Sequence, residues 1–215
     1  QESSRHSWSP QSSHNRWQDF MNYYHKTADI IRGLGGYPLI IGFDKQYPVD
    51  QLYLNIFTYA GGMHPYSWQY DSDALPFGNY ARFATRYSYL IWDIGRLKPL
   101  ADPGKIIRID SPRPIWWKDY AAIRQARDGK RQYIIQLINP PVQERIYSDP
   151  TNKVPRPQTN IVVSLKLRPG ETISKAYLLS AEPVMHRELL PLIRQGDRVT
   201  VKVPKLYFWS ILVLE

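Results

Sequence analysis

Residues 14–92 alternate between helix-like and strand-like patterns, and after Leu100 that alternation stops. This switch constrains the fold more than any other feature. Alternating helices and strands build a parallel α/β layer, whereas a succession of short strands builds a sandwich or barrel. Trp17, Phe20, Met21, Tyr24, Ala28 and Ile31 recur at three- and four-residue steps and predict a helix from about His14 to Arg32. Ser13 is its expected N-cap, and Gly33, Gly35 and Gly36 its stop. Tyr37–Phe43 is a short apolar run suited to a strand covered on both faces, ending at Asp44. Gln51–Ala60 predicts a second helix broken by Gly61-Gly62, Met63–Trp68 a second extended piece, and Asn79–Trp92 a third helix.

Two strands and three helices cannot close an eight-stranded sheet, and alone they would leave a raw strand edge and an uncovered apolar face. The expectation is therefore α/β plus all-β: the terminal portion of a (β/α)8 TIM barrel followed by an antiparallel β-sandwich. The barrel's front would lie upstream of residue 1. The chain opens on Gln, with neither an initiator Met nor a signal-like apolar stretch, and reads as a piece of a longer protein. Residues 1–13 are polar and read as a linker or truncated edge, 14–102 as the last βα units, and 103–215 as the sandwich. The join falls near LKPLADPGK.

Within the second part, Tyr120–Arg127 and Arg131–Asn139 flank Asp128-Gly129, a two-residue hairpin signal. Ile161–Arg168 alternates apolar and polar residues, Pro169-Gly170 turns the chain into Ile173–Ser180, and Arg198–Val203 alternates again. Leu206–Leu214 is apolar on both faces and predicts a central strand. The Pro-rich stretch 140–160 reads as a long loop of the sandwich.

Zero cysteines exclude a disulfide scaffold, a zinc–thiolate site and a Cys nucleophile. With 43% hydrophobic residues, 7 Trp and 16 Tyr, most of the chain can bury a core rather than remain disordered. The net charge of +9 sits almost wholly in residues 101–215, which hold 19 basic and 11 acidic side chains. Those charges are spread singly along strand-like segments such as Lys166/Arg168 and Arg198/Lys202. That pattern predicts a solvated sheet face and no nucleic-acid partner. No apolar run reaches the ~18 residues of a membrane span.

In a barrel, chemistry gathers at the carboxyl ends of the strands. Asp44 ends the first strand, as a ligand-contacting or catalytic carboxylate, or as a helix cap or a loop ion pair with Lys45. After the second, GGMHPYSWQY combines a backbone break with aromatic and hydrogen-bonding side chains. Flat rings with polar neighbours suit sugars, whose rings have apolar C–H faces and hydroxyl rims. His64, Tyr66 and Trp68 alternate, so an extended stretch would turn them the same way. Asp44, His64, Tyr66 and Trp68 are the expected substrate-binding residues. Asp71 and Asp73 follow in a loop and suit a turn better than an acid–nucleophile pair. Trp17, Tyr23 and Tyr24 are expected in the core. Trp116-Trp117 could offer one ring to a sugar while the other is buried. The five histidines form no metal-ligand spacing, and no phosphate-loop, dinucleotide or nucleophile-elbow motif occurs, so no metal and no cofactor are expected.

The stretch Asp50–Asp93, with its Gly-Gly break and the helix ARFATRYSYLIWD, resembles the barrel end of the dextranase and cycloisomaltooligosaccharide glucanotransferase family, glycoside hydrolase family 66, or a related barrel glycosidase. The similarity continues through RQYIIQLIN, the loop Pro155–Gln158 followed by NIVVSLKL, and the terminal WSILVLE, covering nearly all of residues 16–215. The resemblance implies a secreted or surface-attached retaining enzyme on α-glucans whose catalytic Asp and Glu precede residue 1, so no catalytic residue is carried over. It also implies cleft-lining roles for His64, Tyr66 and Trp68. Where the family tends to have an acidic residue in a Glu-Leu-Gly context, this chain has HPYSW. The expected function is thus the C-terminal fragment of a carbohydrate-active enzyme, with an oligo- or polysaccharide and the upstream part of its own barrel as partners. The alternative is a non-enzymatic carbohydrate-binding sandwich working through Trp116 and Trp117.

Overall fold

The computed structural model describes residues 16–36, 38–41, 47–66, 76–93, 95–146, 151 and 153–215, with the backbone alone for 39–41 and 64–66. The chain divides into two compact units, residues 1–84 with 141–154, and residues 85–140 with 155–215. The segment 141–154, read from sequence as a loop of the sandwich, thus groups with the α/β residues. Its link is a backbone bond from Trp17 N–H to the Glu144 carbonyl, 3.0 Å, beside a bridge between Arg16 and Arg145.

The first unit runs α1 (Trp17–Gly33), β1 (Leu39–Ile41), α2 (Pro48–Ala60), β2 (His64–Tyr66) and α3 (Phe77–Arg86), whose last two residues count with the second unit. β1 and β2 pair in parallel with Leu39 opposite His64 and Ile41 opposite Tyr66. With α2 as the crossover, this is a βαβ unit. The apolar stripe of α1 buries Trp17, Phe20, Met21, Tyr24 and Ala28. Trp17 lies 5.3 Å from the Phe57 ring and 5.9 Å from Tyr53 of α2, at tilted angles that favour ring-edge contact. α2 is buried nearly all round, polar residues included, and a helix without a polar face belongs in an interior. Its buried Gln51 donates to Asn55 Oδ1, and the Thr58 hydroxyl donates to the Leu54 carbonyl. α2 begins at Pro48, three residues before the sequence pattern predicts, because proline is pre-set for the first helical position. α3 stops at Arg86, and residues 88–90 tighten into a 3₁₀ turn, shortening the predicted third helix.

The second unit contains two antiparallel sheets. Its strands are β3 (Leu97–Pro99), β4 (Ile107–Asp110), β5 (Ala121–Gln125), β6 (Arg131–Ile138), β7 (Ile161–Lys166), β8 (Ala176–Ser180), β9 (His186–Leu190), β10 (Ile193–Gln195), β11 (Arg198–Val203) and β12 (Trp209–Leu214). One sheet is ordered β10-β11-β7-β4 and the other β3-β5-β6-β12-β8-β9. Alternation sets the core: Ile161, Val163 and Leu165 with Val199, Val201 and Val203 from one sheet meet Tyr133, Ile135, Leu137, Leu178, Leu212 and Leu214 from the other. β12, apolar on both faces, lies between β6 and β8, where it is fully buried.

Three details differ from the sequence reading. The Asp128-Gly129 hairpin has a three-residue loop, not two: Ala126 N–H bonds the Lys130 carbonyl, Gly129 N–H bonds Ala126, and Gly129 takes φ +80. That is a turn followed by a left-handed bulge residue. β8 starts at Ala176 rather than Ile173, since the Ser174 and Lys175 amides are spent on the Glu215 carbonyl. β9 and β10 are exposed edge strands without alternation, so the sequence carried no strand signal for them.

Tyr89 and Asp93 pack against β5 of the six-stranded sheet. The Arg124 guanidinium, on β5, pairs with Asp93 at 2.8 Å, donates to Gln132 Oε1 and stands over the Tyr89 ring. At the opposite end of β6, Asn139 and Gln158 form a buried polar node. Asn139 Nδ2 donates to the Arg156 and Tyr207 carbonyls, while Gln158 Nε2 donates to Asn139 Oδ1 and the Pro114 carbonyl. This node fastens three loops through one connected network, in which the buried Gln158 Oε1 lacks a hydrogen-bond partner among the described residues.

Candidate functional site

The two parallel strands end side by side at Ile41 and Tyr66, and the segments expected to meet a ligand start at those ends. What aims the strands is the geometry of the preceding helix ends. α1 ends with Gly35 at φ +77; its N–H bonds the Arg32 carbonyl while Gly36 N–H bonds Ile31. α2 ends in the same way, with Gly62 at φ +67, its N–H bonded to Tyr59, and Met63 N–H bonded to Thr58. Both are Schellman caps, which need a left-handed residue one place beyond the cap. Met63, which follows the cap, is buried. Gly61 sits in a tight place: a Cβ there would lie 2.8 Å from Met63 Cε and 3.1 Å from the Phe57 carbonyl, so a larger residue would displace the Met63 end.

A side chain from the neighbouring helix completes this turn. Arg32 Nη2 donates to the carbonyls of Gly61 and Gly62, placing a cation at the negative end of α2. It also pairs with Asp29 on its own helix at 3.1 Å. Sequence reading missed Arg32, because its partners lie 29 and 30 residues away and no local pattern announces them. Burial raises the pKa of the neighbouring Tyr59 hydroxyl, which therefore stays protonated at neutral pH.

His64 and Tyr66 occupy alternate positions of β2, the first and third of its three residues. Asp44 and Trp68 lie outside the described residues, as do Asp71 and Asp73. Trp117 is buried in the sandwich core at 8% exposure, leaving Trp116 as the partly exposed member of the tandem. Trp116 is held by two backbone bonds to Ile138, each 2.9 Å. Trp17 and Tyr24 are core residues, whereas Tyr23 is 40% exposed. Among the described residues no group of three His, Asp or Glu could hold a metal ion, and no helix is long and apolar enough to cross a membrane.

No protein-family model matches this chain, and no curated protein matches it in sequence. Among solved structures, it is similar to the cycloisomaltooligosaccharide glucanotransferase of Paenibacillus sp., solved with cycloisomaltoheptaose. The TM-score is 0.60 at 18% identity, over 78% of this chain and 27% of that enzyme. A second match, α-L-fucosidase isoenzyme 2 from Paenibacillus thiaminolyticus, has a TM-score of 0.35 at 20% identity, over 65% of this chain and 19% of the other. That score is too low to carry an argument. The chain thus spans about a quarter of the glucanotransferase's length, and at this identity the likeness concerns the fold alone. In fold, the chain is similar to a portion of a carbohydrate-processing enzyme.

Proposed function

We propose that this chain is the C-terminal portion of a carbohydrate-active enzyme, a retaining glycoside hydrolase or transferase on α-glucans. Its βα units would be the last of a (β/α)8 barrel, and its sandwich an accessory domain. The observation that carries the reading is the TM-score of 0.60 over 78% of the chain to an enzyme solved with a cyclic oligosaccharide. The βαβ unit supports it as well, because parallel strands with a buried crossover helix are the repeating piece of such barrels. His64, Tyr66, Trp68 and Asp44 bind substrate in this reading. The rings cover sugar C–H faces, and the imidazole and carboxylate hydrogen-bond to hydroxyls. The acid and nucleophile of the double-displacement mechanism belong to other strands of the parent barrel, and the parent is secreted or held at the cell surface.

Calorimetric titration of the full chain with isomaltooligosaccharides tests the reading. Binding that weakens at least tenfold in Trp68→Ala and Tyr66→Ala, with Trp116→Ala unchanged, is the expected result. Binding lost only in Trp116→Ala would overturn it in favour of a sandwich-based lectin-like module.

A further inference from the structure

A cleft of about 430 Å³ opens at one end of the sandwich, between the β5–β6 hairpin and the turn at residues 168–171. Its size falls within the range of small-molecule sites. Arg131, Arg168, Gln125 and Glu171 supply its polar lining, and Ile123 and Pro169 its apolar patches. The turn is rigid: Pro169 and Gly170, at φ +77, occupy its centre, and Glu171 N–H bonds the Arg168 carbonyl, the arrangement of a type II turn. The Glu171 carboxylate locks it further, accepting from Arg168 N–H, from the Tyr133 hydroxyl and from Arg131 Nη1 at 3.0 Å. Tyr133 is rooted in the core at 0% exposure.

Three of the cations around the cleft have carboxylate partners. Arg131 is matched by Glu171, Arg124 by Asp93, and Lys130 by Asp128. Among the described residues no carboxylate pairs with the Arg168 guanidinium, although its backbone is held on both sides of the turn. Nearby, Lys166 stands directly opposite Arg198 in the β7–β11 register. Like charges so placed disfavour the sheet, and Asp197, 3.7 Å from Lys166, compensates only one of them. A guanidinium with no carboxylate partner, carried at a cleft on a turn whose backbone is fixed, can grip an oxyanion through two parallel bonds.

We propose that this cleft binds an anionic sugar unit, its carboxylate or sulfate held by Arg168 with help from Arg131, and its ring lying against Ile123 and Pro169. The choice of a sugar rests on the carbohydrate reading above; the anion site rests on the charges and geometry alone. Such a site would anchor the protein to an acidic glycan, apart from the neutral glucan expected at the β1 and β2 ends.

The test is titration of the full chain with a trigalacturonate, a sulfated trisaccharide and neutral isomaltotriose. At low salt the anionic sugars should bind, more weakly as salt rises. Arg168→Ala should weaken them at least tenfold and Arg168→Lys less, with isomaltotriose binding unchanged in both. Preference between the first two ligands tells carboxylate from sulfate, and either supports the site. Equal affinity of Arg168→Ala and wild type for both anions, or no preference for anions over isomaltotriose in wild type, overturns it. Arg168 is exposed and outside the core, so the variants fold. Failure of the carbohydrate reading would appear separately, as anion binding without any isomaltooligosaccharide binding.

Discussion

Removing the Arg32 guanidinium should loosen the turn that delivers β2. Arg32→Ala deletes two charge-assisted bonds to the Gly61 and Gly62 carbonyls, each worth ~1.5–3 kcal/mol when fully formed. The Arg32 side chain is 35% exposed, so water replaces part of what is lost. Water also weakens the favourable cation at the α2 end, itself worth ~0.3–1 kcal/mol. We therefore expect a net cost of about 1.5 kcal/mol, confined to the α2–β2 turn. The Asp29 pair adds little, since that carboxylate is 77% exposed. Hydrogen exchange by mass spectrometry reads the effect directly. Amides of Gly62 and Met63, bonded to Tyr59 and Thr58, should exchange roughly tenfold faster, the factor that ~1.4 kcal/mol corresponds to. Asp29→Ala should leave them unchanged, and Arg32→Lys should fall between. Unchanged exchange at Gly62 and Met63 in Arg32→Ala would refute the capping argument.

Further outcomes follow from the sandwich. Burial pushes the Glu171 carboxyl up, but the Arg168 amide, the Tyr133 hydroxyl and Arg131 outweigh it and hold the pKa below its ordinary 4.5. Glu171 therefore contributes stability that is present above 4.5 and lost as pH falls through its lower native value. Urea unfolding on acid titration should show a shallower loss in Glu171→Gln than in wild type, and parallel curves would refute it. Asn139→Ala orphans the Tyr207 carbonyl and one Gln158 donor, while the Arg156 carbonyl keeps its bond from Arg113. It should cost ~2–4 kcal/mol in urea melts, and a loss under ~0.5 kcal/mol would show that the node is dispensable. Gly129→Ala meets open space but keeps φ +80. It should therefore cost about 1 kcal/mol of strain, and Gly129→Asn less, by thermal unfolding.

Local patterns made much of the fold legible. Three- and four-residue spacing marked α1, glycine pairs marked both helix ends, and strict alternation marked β7 and β11. Two-sided apolarity placed β12 in the sheet interior. What the sequence hid depends on partners distant in the chain. The Glu144 carbonyl that receives Trp17 N–H draws segment 141–154 to the α/β unit, and nothing in that segment's composition says so. Exposed edges such as β9 have no burial to impose a pattern. The same holds for the sites. Asn139 and Gln158, which lay within the stretches resembling the glycosidase family, turn out to be joined by a hydrogen bond in the sandwich. Their place in the pattern is explained by fastening loops rather than by chemistry. Arg32 and Arg168 act through position, and a sequence records their identity but not what they face. Of the expected binding residues, the structure fixes the β2 positions of His64 and Tyr66, while Asp44 and Trp68 fall outside what it describes.

The central claim is that sugar is bound at the carboxyl ends of β1 and β2. It is tested most directly by hydrogen-exchange footprinting of the full chain with and without a saturating isomaltooligosaccharide. The account predicts slowed exchange in peptides spanning 41–47 and 64–70, with those around Trp116 unaffected. Protection confined to Trp116 and its neighbours, or protection nowhere, would contradict it.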